Sequence, residues 1–199
     1  MLRRQLLTGL MMTVVLTVLL GLLYPLAVTG VAQAAFRSRA DGTLLTVNGK
    51  AVGSALIGQA FSDAGGNPLP QYFQPRPSAA GKRGYDPTSS GGTNLGPSNP
   101  SLLKSVSDRV GAFRSFNGLG PGTPVPVDAV TSSGSGLDPD ISPANAYDQV
   151  ARVAHARGLE PAAVRHLVDA QRNGRAWGFL GEDTVNVVDL NIALDRMGR

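Results

Sequence analysis

The run from Gln5 to Phe36 constrains this chain most: 32 consecutive residues without a charge, most of them Leu, Val, Ala, Met, Thr or Gly. Leu6 to Val28 alone is 23 residues, about 34 Å of helix at about 1.5 Å per residue. That crosses a hydrocarbon core of roughly 30 Å with slight tilt. Some features suit a signal peptide: Arg3 and Arg4 precede the run, and Ala32-Gln33-Ala34 is a small-residue cleavage site. A signal h-region covers only about 7–15 residues, however. The expectation is a retained transmembrane helix over residues 6–28, extending to about 35, behind a cytoplasmic tail of residues 1–5. The rival is a secreted binding protein or enzyme released by cleavage near Ala34. Arg37 and Arg39 follow the span, but the short tail carrying Arg3 and Arg4 predicts a cytoplasmic N-terminus and export of the remainder.

The remainder, 36–199, is long enough to build a core. Arg3 and Arg4 carry two of the four net positive charges, and no Lys/Arg run exceeds two residues, so nucleic acid is not an expected partner. With no Cys, disulfides and thiolate metal sites are excluded. The 25 Gly and 14 Pro predict many turns rather than a helical bundle.

Asn48-Gly49 between Leu44–Val47 and Lys50–Ile57 predicts a β-hairpin. Residues 81–101 are dominated by Gly, Pro, Ser and Asn and read either as a flexible loop or as an ordered recognition loop. Apolar residues Leu102, Leu103, Val106, Val110 and Phe113 recur at helical spacing, with Asn99 or Ser101 as cap. Pro124–Thr131 reads as a short strand at an edge. Ser142-Pro143 predicts a helix to about 157 with Tyr147, Val150, Val153 and Ala154 inward and Gly158 as its stop. A second helix runs from Pro161 to about Gln171 on Val164, Leu167 and Val168. Val185–Val187 follows as a strand, and a last helix turns Leu190, Ala193, Leu194 and Met197 inward. The fold class expected is α+β: one N-terminal transmembrane helix and one extracytoplasmic α+β domain.

Chemistry is sparse. Gly49-Lys50 and Gly81-Lys82 lack the rest of a phosphate-binding loop. Ser90-Gly91-Gly92, with Asn94 beyond it, matches the Ser-Gly-Gly of ATP-binding-cassette signature loops only in three small residues. These four are weak cofactor-binding candidates, and turn chemistry explains them better. His155 and His166 sit on separate amphipathic helices and read as solvated. Ser133, Ser135, Asp138 and Asp140 read as a turn rather than a nucleophile with carboxylates, since Gly-x-Ser-x-Gly is absent. No catalytic residue and no metal ligand is expected.

Several stretches together resemble one family. They are Gly21-Leu22-Leu23-Tyr24-Pro25-Leu26, Tyr72-Phe73-Gln74-Pro75-Arg76-Pro77-Ser78, and Ser90-Gly91-Gly92-Thr93-Asn94-Leu95-Gly96-Pro97-Ser98-Asn99-Pro100. Val125–Val130, Gly134–Pro143, Gly178-Phe179-Leu180-Gly181 and Val185-Asn186-Val187 complete the set. The chain resembles the C subunit of the Kdp-type potassium-transporting ATPase. That resemblance implies an accessory subunit in the bacterial inner membrane, needed for assembly and described as a catalytic chaperone that raises the ATP affinity of its partner. The implied partners are a channel-like potassium-translocating subunit and a P-type ATPase subunit, alongside the lipid bilayer. ATP and Mg are used by the complex, and potassium is its transported ion. The partner-contact candidates are Tyr24, Pro25, Tyr72, Phe73, Arg76, Asn94, Asn99, Asp138 and Asp140. Pro25 is expected to interrupt the helix ladder, and Gly9, Gly21 and Gly30 to permit close helix approach.

Overall fold

The computed structural model describes residues 1–197. The chain divides into two compact units, Met1–Leu44 and Leu45–Arg199. The first is dominated by an unbroken 34-residue helical run, Leu2–Ala35, longer at its N-terminal end than the predicted span. It comprises α1 (Leu2–Val18), a π-helical turn (Leu19–Leu23) and α2 (Tyr24–Ala35). None of its residues is buried. The Thr13 hydroxyl donates to the Gly9 carbonyl at 2.9 Å, which satisfies a polar group inside an apolar run.

Pro25 has no N–H to donate to the Gly21 carbonyl, and its ring would crowd that oxygen. The helix answers with the wider turn just ahead of it, where the Tyr24 N–H donates five residues back to Leu19. Phe36, at φ −137° and ψ 39°, ends α2. A single turn, α3 (Arg37–Ala40), follows, and Gln33 donates to Asp41 at 2.8 Å across it.

The predicted hairpin follows, β1 (Leu44–Val47) and β2 (Lys50–Ser54). Asn48 and Gly49 take φ of 51° and 74°, the positive pair a tight two-residue hairpin turn requires. The second strand stops at Ser54, short of Ile57. α4 (Pro100–Asn117) is capped by the Asn99 side chain, which accepts from the Ser101 N–H, and ends at Gly118 with φ 66°. Only Asn117 of this helix is buried, and Leu103 is 57% exposed, so its predicted apolar face is only partly covered.

The predicted strand at 124–131 is instead a 3-10 turn, Val127–Ala129. The reason is Asp128. Its carboxylate accepts from the Ser142 N–H (2.7 Å), the Ser142 hydroxyl (2.8 Å) and the Asn145 amide (2.9 Å). Those donors lie at the start of the next helix, and reaching them requires a bend.

β3 (Asp140–Ile141) leads through the Ser142 cap into α5 (Pro143–Arg157), which stops at Gly158, φ 63°. α6 (Pro161–Ala170) packs beside it, followed by β4 (Arg172–Asn173), β5 (Thr184–Asn186) and α7 (Val187–Met197). The three short strands form an antiparallel sheet in the order β3-β5-β4, with Ile141 and Arg172 both opposite Val185. Val187 starts the last helix rather than ending the strand, because the Asn186 side chain accepts from the Val188 and Asp189 N–H groups as a cap.

The core lies where α5, α6 and α7 meet this sheet, around Phe73, Ile141, Val153, Val164, Leu190 and Leu194, each no more than 1% exposed. Tyr147 and Leu167 pack at its margin. Met197, expected inward, is 40% exposed.

Phe73 enters this core on a segment outside any strand, and two side-chain amides replace the missing ladder. Asn191 of α7 accepts from the Phe73 N–H (2.9 Å) and donates to its carbonyl (3.0 Å). Gln149 of α5 does the same for Gln74, at 2.7 and 3.0 Å. Asn191 and Gln149 are each 1% exposed. Replacing Asn191 by Leu strands two buried backbone groups, so unfolding of the chain by urea should show a loss of about 2–5 kcal/mol. A loss under about 0.5 kcal/mol would show that the grip is dispensable.

Candidate functional site

Three of the stretches singled out in the sequence, Tyr72–Ser78, Ser90–Pro100 and Gly134–Pro143, meet at one junction of loops. The extended segment Tyr72–Ser78 is held from above by arginines. Arg152 of α5 donates to the carbonyls of Pro70 and Tyr72, to Asn117 and to Gln149. Burial lowers this guanidinium to about 10, still charged at neutral pH. Arg157 donates to the Gln71 carbonyl at 2.7 Å, pairs with Asp195 at 2.7 Å and lies 4.7 Å over the Tyr72 ring. Tyr72 and Phe73 are therefore held by the fold of the chain itself.

Arg76 pairs with Asp138 at 3.0 Å, both side chains largely covered. The Tyr85 hydroxyl donates to the Arg76 carbonyl at 2.8 Å, and burial raises its phenol above the ordinary range. The Ser78 hydroxyl donates to the Gly136 carbonyl (2.6 Å) and accepts from the Ala80 and Tyr85 N–H groups. One loop is thereby stitched to the turn at 132–138.

The Gly/Ser/Pro loop is ordered along this seam. Gly91 N–H and the Ser90 hydroxyl both donate to the Ser135 carbonyl, at 2.8 and 3.0 Å. Gly136 has φ +67°, and a Cβ there would lie 2.6 Å from the Gly91 oxygen, so no larger residue fits the seam. Gly92 also faces Ser133 and Gly134 closely. Asn94 is exposed with φ 53°, and Asn99 is the α4 cap.

Asp138 and Asp140 are neighbours in this junction. Asp138 accepts from the Asp140 N–H at 3.0 Å, and Asp140 accepts from the Thr184 hydroxyl at 3.3 Å. The other Asp140 oxygen is buried without a hydrogen-bond partner among the described residues. Burial first, then the Asp138 and Asp189 carboxylates, raise Asp140 above the usual carboxylate range. Tyr24 and Pro25 lie in the membrane-length helix, beside its π turn. His155 and His166 are exposed on α5 and α6.

A cleft of about 940 Å³ opens alongside, lined by Arg76, Lys82, Arg83, Arg109, Phe113 and Phe116 among others. Its lining is cationic and aromatic, suited to an anion more than to a cation. Ser90, Gly91, Gly92 and Asn94 do not line it. Asn191, Gln149, Arg152 and Asp128, which organise the junction, escaped the sequence reading. The available signal was a lone amide beside an apolar helix position, as Gln149 beside Val150 and Asn191 beside Leu190.

Two outcomes follow. Gly136→Ala should destabilise the chain by about 2 kcal/mol or more through strain and close contact. Gly91→Ala, with open space around its added methyl, should stay within about 0.5 kcal/mol. Equal melting temperatures for the two variants would refute the seam. For Asp140, the folded state binds the proton more tightly than the unfolded chain does, so stability falls as pH rises from 3.8 through the raised folded value. Asp140→Asn should therefore be more stable than the parent at neutral pH, the advantage vanishing below about pH 4. A pH-independent difference in thermal unfolding would contradict this.

The chain matches the family model described as "KdpC: K+-transporting ATPase, c chain" over residues 6–196. It is 53% identical to the potassium-transporting ATPase KdpC subunit of Mycobacterium tuberculosis over 195 residues, covering 98% of this chain and 100% of that one. The subunit of the same name from Koribacter versatilis is 50% identical, with 97% and 95% covered. That from Kineococcus radiotolerans is 54% identical, with 96% and 93% covered. With the match running from the membrane-length helix through the loop junction to the last helix, the chain belongs to the KdpC family, the C-chain accessory subunits of the potassium-transporting ATPase.

Proposed function

We propose that this subunit sits in the bacterial inner membrane with its N-terminus cytoplasmic and the Leu45–Arg199 unit outside, against the channel-like potassium-translocating subunit. It raises the ATP affinity of the P-type ATPase subunit indirectly, through its anchor. The observation that carries this is the helix Leu2–Ala35: free of charge from Gln5 onward, long enough to cross a bilayer and without a buried residue. Its whole surface is available to lipid and to neighbouring helices. The π turn beside Tyr24 and Pro25 gives one stretch a local shape that a plain helix lacks.

ATP is cytoplasmic, and in this orientation only the first few residues reach that side. The coupling then runs through helix packing that favours one conformation of the partner. The engagement of Gly91 N–H and Ser90 with Ser135 supports this indirect route, because those donors are already used within the chain. Arg76, Asp138 and Asn99 are likewise engaged in holding the fold.

Alkaline phosphatase fused to the C-terminus should be active, and a green fluorescent protein fusion dark; the reverse pattern overturns the orientation. Replacing Leu6–Val28 by an unrelated poly-Leu span should raise the ATP concentration for half-maximal ATPase activity about five-fold or more. An unchanged value in an intact complex would reduce the helix to a tether.

A further inference from the structure

The segment between β4 and β5 closes as a tight hairpin whose tip has no role in anything described above. Ala176 and Leu180 exchange both backbone hydrogen bonds at 2.9 Å, and Gly178 N–H donates to the Arg175 carbonyl at 3.0 Å. Arg172 pairs with Asp183, and Arg175 with Glu182, across the stem. On this rigid stem Trp177, Phe179 and Leu180 are 85%, 69% and 45% exposed. Trp177, the only Trp of the chain, takes φ 53°, a region that costs an aromatic residue strain. Three large apolar side chains in four residues, held outward at a conformational cost, have the character of an interface anchor.

The surrounding charge selects the occupant. Binding to an anionic bilayer draws on unpaired Lys or Arg beside the aromatic residues, and here both stem arginines are matched by carboxylates. A rigid, charge-balanced tip suits a preformed apolar pocket in a protein, where little conformational freedom remains to be lost. We propose that Trp177, Phe179 and Leu180 insert into an apolar pocket on the extramembrane surface of another subunit of the same ATPase. This rests on the reading of the chain as a subunit of an assembled complex.

The test uses the tagged full chain co-expressed with its sibling subunits and purified in mild detergent. Trp177→Ala/Phe179→Ala should lower the recovered siblings about ten-fold or more, with circular dichroism unchanged, and Trp177→Phe should retain most of the recovery. Wild-type recovery by the folded double variant overturns the inference and leaves the subunit reading intact. Absence of siblings even with the parent chain sinks both. Separately, the parent chain alone is reconstituted into vesicles of phosphatidylethanolamine and phosphatidylglycerol with brominated acyl chains. The fluorescence of its one Trp should remain unquenched; strong quenching assigns the tip to the bilayer and overturns the protein pocket.

Discussion

Two buried amides hold this structure together. Asn191 and Gln149 stand on different helices, yet each presents an acceptor and a donor to one backbone residue, Phe73 and Gln74. An extended segment without a strand partner would otherwise bury unsatisfied N–H and C=O groups, at a cost of about 1–3 kcal/mol each. With the grip in place, the Phe73 ring enters the core between α5 and α7. The residues that follow leave the core in a defined direction, so Arg76 meets Asp138 and Ser78 meets Gly136.

From that anchor point the loop junction assembles by direct contact. The 72–91 stretch and the 132–141 turn share backbone and hydroxyl hydrogen bonds, and Gly136 lets them approach more closely than any side chain would allow. Asp128 performs the same service from the other side by capping the start of α5. The polar residues of the family's signature stretches therefore act mostly on their own chain. Features of this unit that its own packing leaves open are the cleft beside Lys82, Arg83 and Phe116 and the exposed apolar hairpin tip around Trp177.

The membrane-length helix obeys a different constraint. In hydrocarbon every backbone group needs a partner within the segment, and Pro25 removes one donor. The five-residue turn Leu19–Leu23 absorbs this without breaking the helix. The same local irregularity gives the helix a shaped patch next to Tyr24, in a segment whose other side chains are nearly uniform in character.

Much of this was legible in the chain alone. A charge-free run of that length has few stable environments other than a bilayer. Asn48-Gly49, Ser142-Pro143 and Gly158 announce turns and helix ends because only a few residues tolerate those dihedrals or supply those caps. The motif set was enough to indicate the family. Its placement in space was not legible. Val125–Val130 has strand-like composition, but Asp128 is needed as a remote cap and bends it. Val187 looks like the end of a strand, but Asn186 caps a helix there. Tyr72, Phe73 and Arg76 look like recognition residues, but Arg152, Arg157, Gln149 and Asn191 hold the segment from 75 or more positions away. Local signals such as length, charge, capping and turn chemistry act over a few residues, so the sequence determined the membrane helix, the first hairpin, the main helices and the family. Which polar groups satisfy one another across the chain, and so which remain exposed for a partner, depends on long-range packing, and only the tertiary structure decided it.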